Sequence, residues 1–187
     1  MVEVNQTNEY ITFTLGEGEY AIEVTSIESI LEYTKLTKLP GTDETVKGVL
    51  NLRGKALPVV DIRTILNIEE KEITNNTSII VMLIKSGDKI ITIGGLVDSV
   101  KEVIEITPEM VQGAPKVGTR IKGDFISGIA KHKEHFIIIL DINKVISEEQ
   151  TAIAEDGNLL LPDDVKDELP ISGTEFEHGS NDVLEVL

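Results

Sequence analysis

A chain of 187 residues with 41% hydrophobic side chains can bury one core or two small ones, and with only 4% aromatics that core must be Ile, Val and Leu, which favour half-buried strands. The absence of Cys excludes disulfides, thiolate nucleophiles and thiolate metal sites, and fits a reducing cytoplasm. The charge of −16 is concentrated late: residues 148–187 carry 12 acidic side chains against one basic, a net −11, while residues 1–147 carry 21 against 16, a net −5, which argues against a nucleic-acid partner.

In chain order, Glu9–Leu15 alternates with Ile11, Phe13 and Leu15 on one face. The turn Gly16–Gly18 and the run Tyr20–Val24 complete a predicted hairpin. Thr25–Tyr33 is predicted as two helical turns, with Val24, Ile27, Ile30 and Leu31 on one stripe. Strands follow at Gly48–Leu52 and Ala56–Ile62, then one helical turn at Arg63–Leu66 and a polar loop at 69–77. Ser78–Ile84, Ile90–Ile93, Phe125–Ala130 and Phe136–Ile142 read as further strands, with a Gly/Pro loop at 112–120. Ile142–Ala154 is a predicted terminal helix, and the acidic stretch 148–187 is expected to be flexible or loosely docked beyond a partly helical start. Many short strands with few helices predict an all-β barrel or sandwich. No apolar run is long enough for a transmembrane helix, and Met1–Asn5 lacks the start of a signal peptide.

The chain also repeats itself. Tyr20–Leu31 aligns without gaps on Ile93–Ile104, and Gly48–Ile62 matches Gly128–Ile142, at offsets of 73 and 80 residues. Two matches in the same order predict two similar small barrels, each carrying one copy, with exchange of elements near 69–77 and 112–120.

Side chains able to do chemistry are few. His132 and His135 lie in a polar turn and His178 lies in the acidic stretch, with no third metal ligand apparent. Asp61, Asp98 and Asp141 end or follow apolar strands, where Asp commonly accepts from turn amides. Gly94–Gly95 and Gly113–Gly118 fit no phosphate-binding pattern. No catalytic residue, metal site or cofactor is expected. Surface remains: the Val24–Leu31 stripe either packs on its own barrel or lines a groove for a partner helix. Arg53, between Leu52 and Gly54, is either a turn residue or an interface anchor.

Val46–Arg63, with its core Asn51-Leu-Arg-Gly54 and Pro58-Val-Val-Asp-Ile-Arg63, resembles the signature stretch of the CheW family. Phe13–Val24 looks like that family's opening hairpin, Thr37–Pro40 like its approach to the Gly48 strand, and Gly95–Ile104 like its second-lobe signature. Ile126–Ala130 and Ile137–Ile142 complete a resemblance over roughly residues 8–147.

It implies two five-stranded SH3-like barrels (residues 1–147) followed by the acidic segment 148–187. It also implies a cytoplasmic, non-enzymatic scaffold, recruited to membrane receptor arrays without inserting in the bilayer. Such proteins couple methyl-accepting chemotaxis receptors to the regulatory domain of the histidine kinase CheA. The resemblance places receptor contacts at Val24, Ile27, Ile30, Leu31, Val97 and Val100, and receptor or kinase coupling at Lys47, Gly48 and Arg53. On this reading Ile27→Asp weakens receptor binding and leaves the melting temperature nearly unchanged. Ser29 stands where many relatives carry Glu, so on this reading a carboxylate for Arg53 comes from Glu28 or Glu32, or is absent. The alternatives are an adaptor of another motility pathway, a CheW-like fragment of CheA and, more remotely, a small-ligand β-barrel enzyme.

Overall fold

The computed structural model describes residues 8–113 and 123–156. Most of the predicted loop at 112–120, and residues 157–187 with His178 and the apolar cluster Leu159–Leu161, lie outside the described residues. Among the described residues eleven strands form two curled sheets. The first sheet joins β1 (Asn8–Leu15), β2 (Gly18–Glu23), β8 (Ser99–Ile106), β9 (Val111–Gln112), β10 (Ile126–His132) and β11 (His135–Leu140), in the order β8-β1-β2-β11-β10-β9. The second joins β3 (Ile27–Glu32), β4 (Val46–Leu52), β5 (Lys55–Asp61), β6 (Ser78–Ser86) and β7 (Lys89–Val97), in the order β3-β6-β7-β5-β4. Among the described residues three short α-helices, α1 (Ile62–Ile65), α2 (Ile142–Val145) and α3 (Glu148–Asp156), and three 3₁₀ turns complete the fold. This is the expected all-β, two-barrel architecture.

The internal repeat is real; its second pair, Gly48–Ile62 and Gly128–Ile142, places one copy in each sheet, but its first pair does not. The chain crosses from the first sheet to the second at the 3₁₀ turn Val24–Ser26 and returns at Asp98, between β7 and β8. Each copy of the Tyr20/Ile93 repeat therefore straddles both sheets. The exchange points lie at 24–26 and 98, whereas the polar loop 69–77 connects elements of one sheet. The pairing registers confirm the symmetry. β11 lies parallel to β2 with Ile139 opposite Ala21, and β5 lies parallel to β7 with Val59 opposite Gly94. Those four positions are related by the same offsets of 80 and 73 residues.

Thr25–Tyr33 is not a helix but that 3₁₀ turn followed by β3. The helix-like spacing of its apolar residues has a specific cause. Between Ile27 and Ser29 the strand advances two residues while its partner β6 advances one, from Met82 to Val81. This β-bulge resets the alternation, so Ile27 and Ile30 reach the same side three residues apart. Leu31 points into the barrel on the other face. The repeat mate β8 carries the equivalent bulge, pairing Val100 with Phe13 and Val103 with Ile11. The predicted helix Ile142–Ala154 is split into α2 and α3 around Ile146 and Ser147.

The three larger apolar clusters among the described residues organise the fold. Leu31, Leu50, Leu57, Val59, Ile79, Val81 and Leu96 fill the second barrel, and Ala21, Ile104, Ile106, Ala130, Ile137 and Ile139 fill the first. A larger cluster between the sheets draws on both, from Phe13, Ile22 and Val100 to Ile27, Ile80 and Ile93. Gly94 stands where the first barrel has Ala21, because a Cβ there would lie 2.8 Å from Ile79 Cγ2 and 3.1 Å from Val59 Cγ2.

Gly48 is required for a different reason. It follows a bulge in β4, has φ +144°, and a Cβ would fall 2.4 Å from the Thr37 carbonyl oxygen. The segment at Thr37 is tied there by backbone hydrogen bonds in both directions with Val49, at 2.8 and 2.9 Å. Gly48→Ala should therefore lose about 1–3 kcal/mol from backbone strain alone, read as a lower urea midpoint at unchanged slope.

Candidate functional site

The residues that carry charge into the interior do so as a latch between the lobes. Asp61 caps α1, its Oδ1 accepting from the Arg63 amide at 2.9 Å. The same carboxylate takes the Arg63 guanidinium through two bonds, from Nε at 3.0 Å and Nη2 at 2.8 Å. Nη1 of Arg63 donates to Asp98 Oδ1 at 2.7 Å and to the Lys71 carbonyl at 2.9 Å. Asp98 in turn accepts from the Gly16 amide at 2.6 Å, in the turn between β1 and β2. Asp61 is fully buried and Arg63 is 2% exposed. The hydrogen bonds to Asp61, reinforced by the charges of Asp61 and Asp98, hold the guanidinium pKa above its ordinary value against the opposing effect of burial. The end of the second sheet is thus fastened to the first sheet's opening hairpin.

The repeat builds the counterpart without a buried guanidinium, Asp141 pairing instead with the exposed Lys144 at 3.5 Å. Asp141 caps α2 by accepting from the Asn143 amide at 3.2 Å, and Asn143 Oδ1 accepts from the Lys85 amide at 2.9 Å on β6. The three aspartates do accept turn and cap amides, as the sequence suggested. What the sequence reading missed is Arg63, although its place two residues after a helix-capping Asp was visible.

Of the six positions expected to face a receptor, five are buried. Ile27, Ile30, Val97 and Val100 are 9% exposed or less and belong to the cluster between the sheets; Leu31, at 1%, lies inside the second barrel. Only Val24, on the crossover turn, is partly exposed. The expected surface stripe is therefore core for all but Val24, because β3 is covered on both faces.

The coupling positions have separate surroundings. Lys47 donates to Glu70 Oε1 at 2.6 Å, and Glu70 also accepts from the Thr64 hydroxyl at 2.6 Å. The Lys47 bond, with Thr64 adding to it, draws the Glu70 carboxyl below its usual pKa. Arg53 and Gly54 form a two-residue turn with both φ positive, at +51° and +78°, and the Gly54 amide donates to Asn51 Oδ1 at 2.8 Å. Its repeat mate is Lys133, with φ +52° in the turn joining β10 to β11. Arg53 lines a cleft of about 630 Å³ with Leu52, Lys55, Lys89 and Ile90. Of the two expected carboxylates Glu28 lines it too and Glu32 does not, and Glu155 is a further carboxylate there.

His132 and His135 face each other across the Lys133 turn, and His135 Nε2 lies 2.9 Å from Glu19 Oε2. No cluster of three potential metal ligands occurs among the described residues. No helix of the described residues is long and apolar enough to cross a membrane.

The segment after 147 begins docked. Gln150 and Thr151 are buried, Gln150 Nε2 donates to Thr45 Oγ1 at 2.7 Å, and Ile153 and Ala154 pack on the core between the sheets. This first part of the acidic segment belongs to the folded body.

Comparison with known proteins agrees with the geometry. A family model described as a CheW-like domain matches residues 9–150. The chemotaxis protein CheW of Bacillus subtilis is 34% identical over 152 residues, covering 81% of this chain and 95% of the relative. That of Thermotoga maritima is 35% identical over 143 residues, covering 75% and 88%. The crystal structure of the scaffolding protein TtCheW from Thermoanaerobacter tengcongensis superposes with a TM-score of 0.69 at 29% identity, covering 78% of this chain and 96% of that one. With two exchanged barrels, a family match across both and relatives covered nearly end to end, the chain belongs to the CheW family.

Proposed function

We propose that this protein is a non-catalytic chemotaxis scaffold that holds the cytoplasmic tip of methyl-accepting receptors beside the regulatory domain of CheA. The observation that carries the reading is the match across both barrels to relatives named as chemotaxis CheW proteins and to one named as a scaffolding protein. The use of buried charge supports it: Asp61, Arg63 and Asp98 are spent on joining lobes, a structural task. Val24 on the crossover turn is the receptor-facing contact, supported from beneath by Ile27, Ile30, Val97 and Val100. Arg53, Lys47 and Gly48 shape the kinase-coupling side. Two moderate interfaces reinforce one another in an array held at the membrane by its receptors.

The test is a pull-down of the full chain against a receptor-tip fragment and the CheA regulatory domain. The intact protein is expected to bind both. Val24→Asp should weaken receptor binding about tenfold and leave CheA binding within twofold, with melting near that of the parent. Failure of the parent to bind either partner overturns the reading.

A further inference from the structure

Helix α3 is started and docked by the same side chain. Ser147-Glu-Glu-Gln150 forms a reciprocal cap, in which the Ser147 amide donates to Gln150 Oε1 at 2.9 Å and the Gln150 amide donates to Ser147 Oγ at 3.4 Å. The buried Gln150 also reaches outward from the helix, its Nε2 donating to Thr45 Oγ1 at 2.7 Å in the turn before β4. Further along, Ile153 and Ala154 are only partly buried against the cluster between the sheets, and Glu155 accepts from the Ser86 hydroxyl at 3.2 Å. Ile146, just before the cap, is 4% exposed and belongs to that cluster outright. The repeat supplies the contrast. The segment after α1 is fastened through charge: Arg63 holds the Lys71 carbonyl, Lys71 pairs with Glu17, and Lys47 pairs with Glu70. The Gln150 bond that docks α3 joins a neutral amide to a hydroxyl.

A helix of nine residues does not persist alone in water, so α3 depends on its seat. Losing the Thr45 contact frees the residue that also caps the helix, which couples undocking to unwinding. We propose that α3 is a strap that releases as one unit, pivoting at Ser147, while both barrels stay folded. Release has a consequence for the surface. Ala154 and Glu155 form one wall of the cleft that holds Arg53, Ile90 and Ile91. Without that wall the cleft becomes an open groove that continues onto the apolar surface Ile153 and Ala154 had covered. A partner that needs the widened groove binds more weakly by the fraction of chains in which the strap is released. The proposal stands on the contacts of α3 and is independent of which partner uses the cleft.

Hydrogen exchange of the full chain tests it. Amides of Ala152–Glu155 should exchange about 100-fold or more faster than those in the centres of β6 and β7. Low urea should accelerate β6 and β7 and leave α3 unchanged, the mark of a local opening. Gln150→Ala and, from the other side of the contact, Thr45→Val should each speed α3 exchange about tenfold. Ala152→Pro, at an exposed position of the helix, should abolish α3 and shift the amide signals of Lys89–Thr92 while those of β1 and β2 stay in place. Exchange of α3 that follows β6 and β7 through urea overturns the proposal, because the helix then opens only with the whole fold. So do α3 rates indifferent to Gln150→Ala and Thr45→Val, unmoved Lys89–Thr92 signals in the proline variant, or changes in that variant spread over both sheets.

Discussion

Replacing Asp61 with Ala should cost about 3–5 kcal/mol, measured by urea denaturation of the parent and variant side by side. The substitution removes a helix cap and both bonds to Nε and Nη2, and strands a guanidinium that is 2% exposed. Asp98 and the Lys71 carbonyl remain on Nη1 but cannot reach the other donors. The repeat supplies the control. Asp141→Ala, at the equivalent cap, removes an amide bond of 3.2 Å from a side chain that is 30% exposed. That loss should be about 1 kcal/mol. Exchanging Asp61 and Arg63 together for apolar residues should recover part of the single-variant loss, because the buried guanidinium leaves with its carboxylate, while Asp98, 14% exposed, keeps the Gly16 amide but loses its cation. Equal losses for Asp61→Ala and Asp141→Ala would show that the ion pair adds nothing to the cap.

Ile27→Asp should be as damaging, and through folding before binding. Ile27 is 5% exposed in the cluster between the sheets, directly before the bulge in β3. Removing a buried Ile side chain costs about 2–5 kcal/mol, and placing a carboxylate there without a partner adds to it. With total stabilities near 5–15 kcal/mol for domains of this kind, the variant should be marginal or unfolded at 25 °C. Circular dichroism melting decides it. Retained melting would place Ile27 at an accessible surface and restore the original groove assignment. Val24→Asp on the neighbouring turn is the appropriate binding probe, since its side chain is already partly in solvent.

The strands whose apolar residues alternate or run together were legible in the sequence: Glu9–Leu15, Ala56–Ile62 and Ser78–Ile84 became β1, β5 and β6 with shifts of one or two residues. β3 was not, because a bulge converts a two-residue period into a three-residue one and mimics a helix. β8 was hidden by the same bulge. The repeat was readable to the residue and an exchange between lobes was expected, but its positions were not legible, since the crossovers Val24–Ser26 and Asp98 carry no Gly or Pro to mark them. The candidate site fared likewise. Family resemblance singled out Arg53 and Gly48, which have distinctive backbone conformations, but a stripe of apolar side chains does not state which face meets solvent. Arg63 was passed over because Asp98, the partner that ties it to the first sheet, is distant in sequence.

The exchanged connectivity also sets an order on synthesis. All five strands of the second sheet lie within residues 27–97, so that barrel has its full complement once residue 97 has left the ribosome. The other sheet begins with the first hairpin made and is completed by β11, at residues 135–140. Until then β2 lacks the neighbour that pairs with Tyr20 and Ala21, and an unpaired strand edge of this kind invites association with other chains. The barrel finished last is thus the one begun first, and the interval between is the nascent chain's most vulnerable stage.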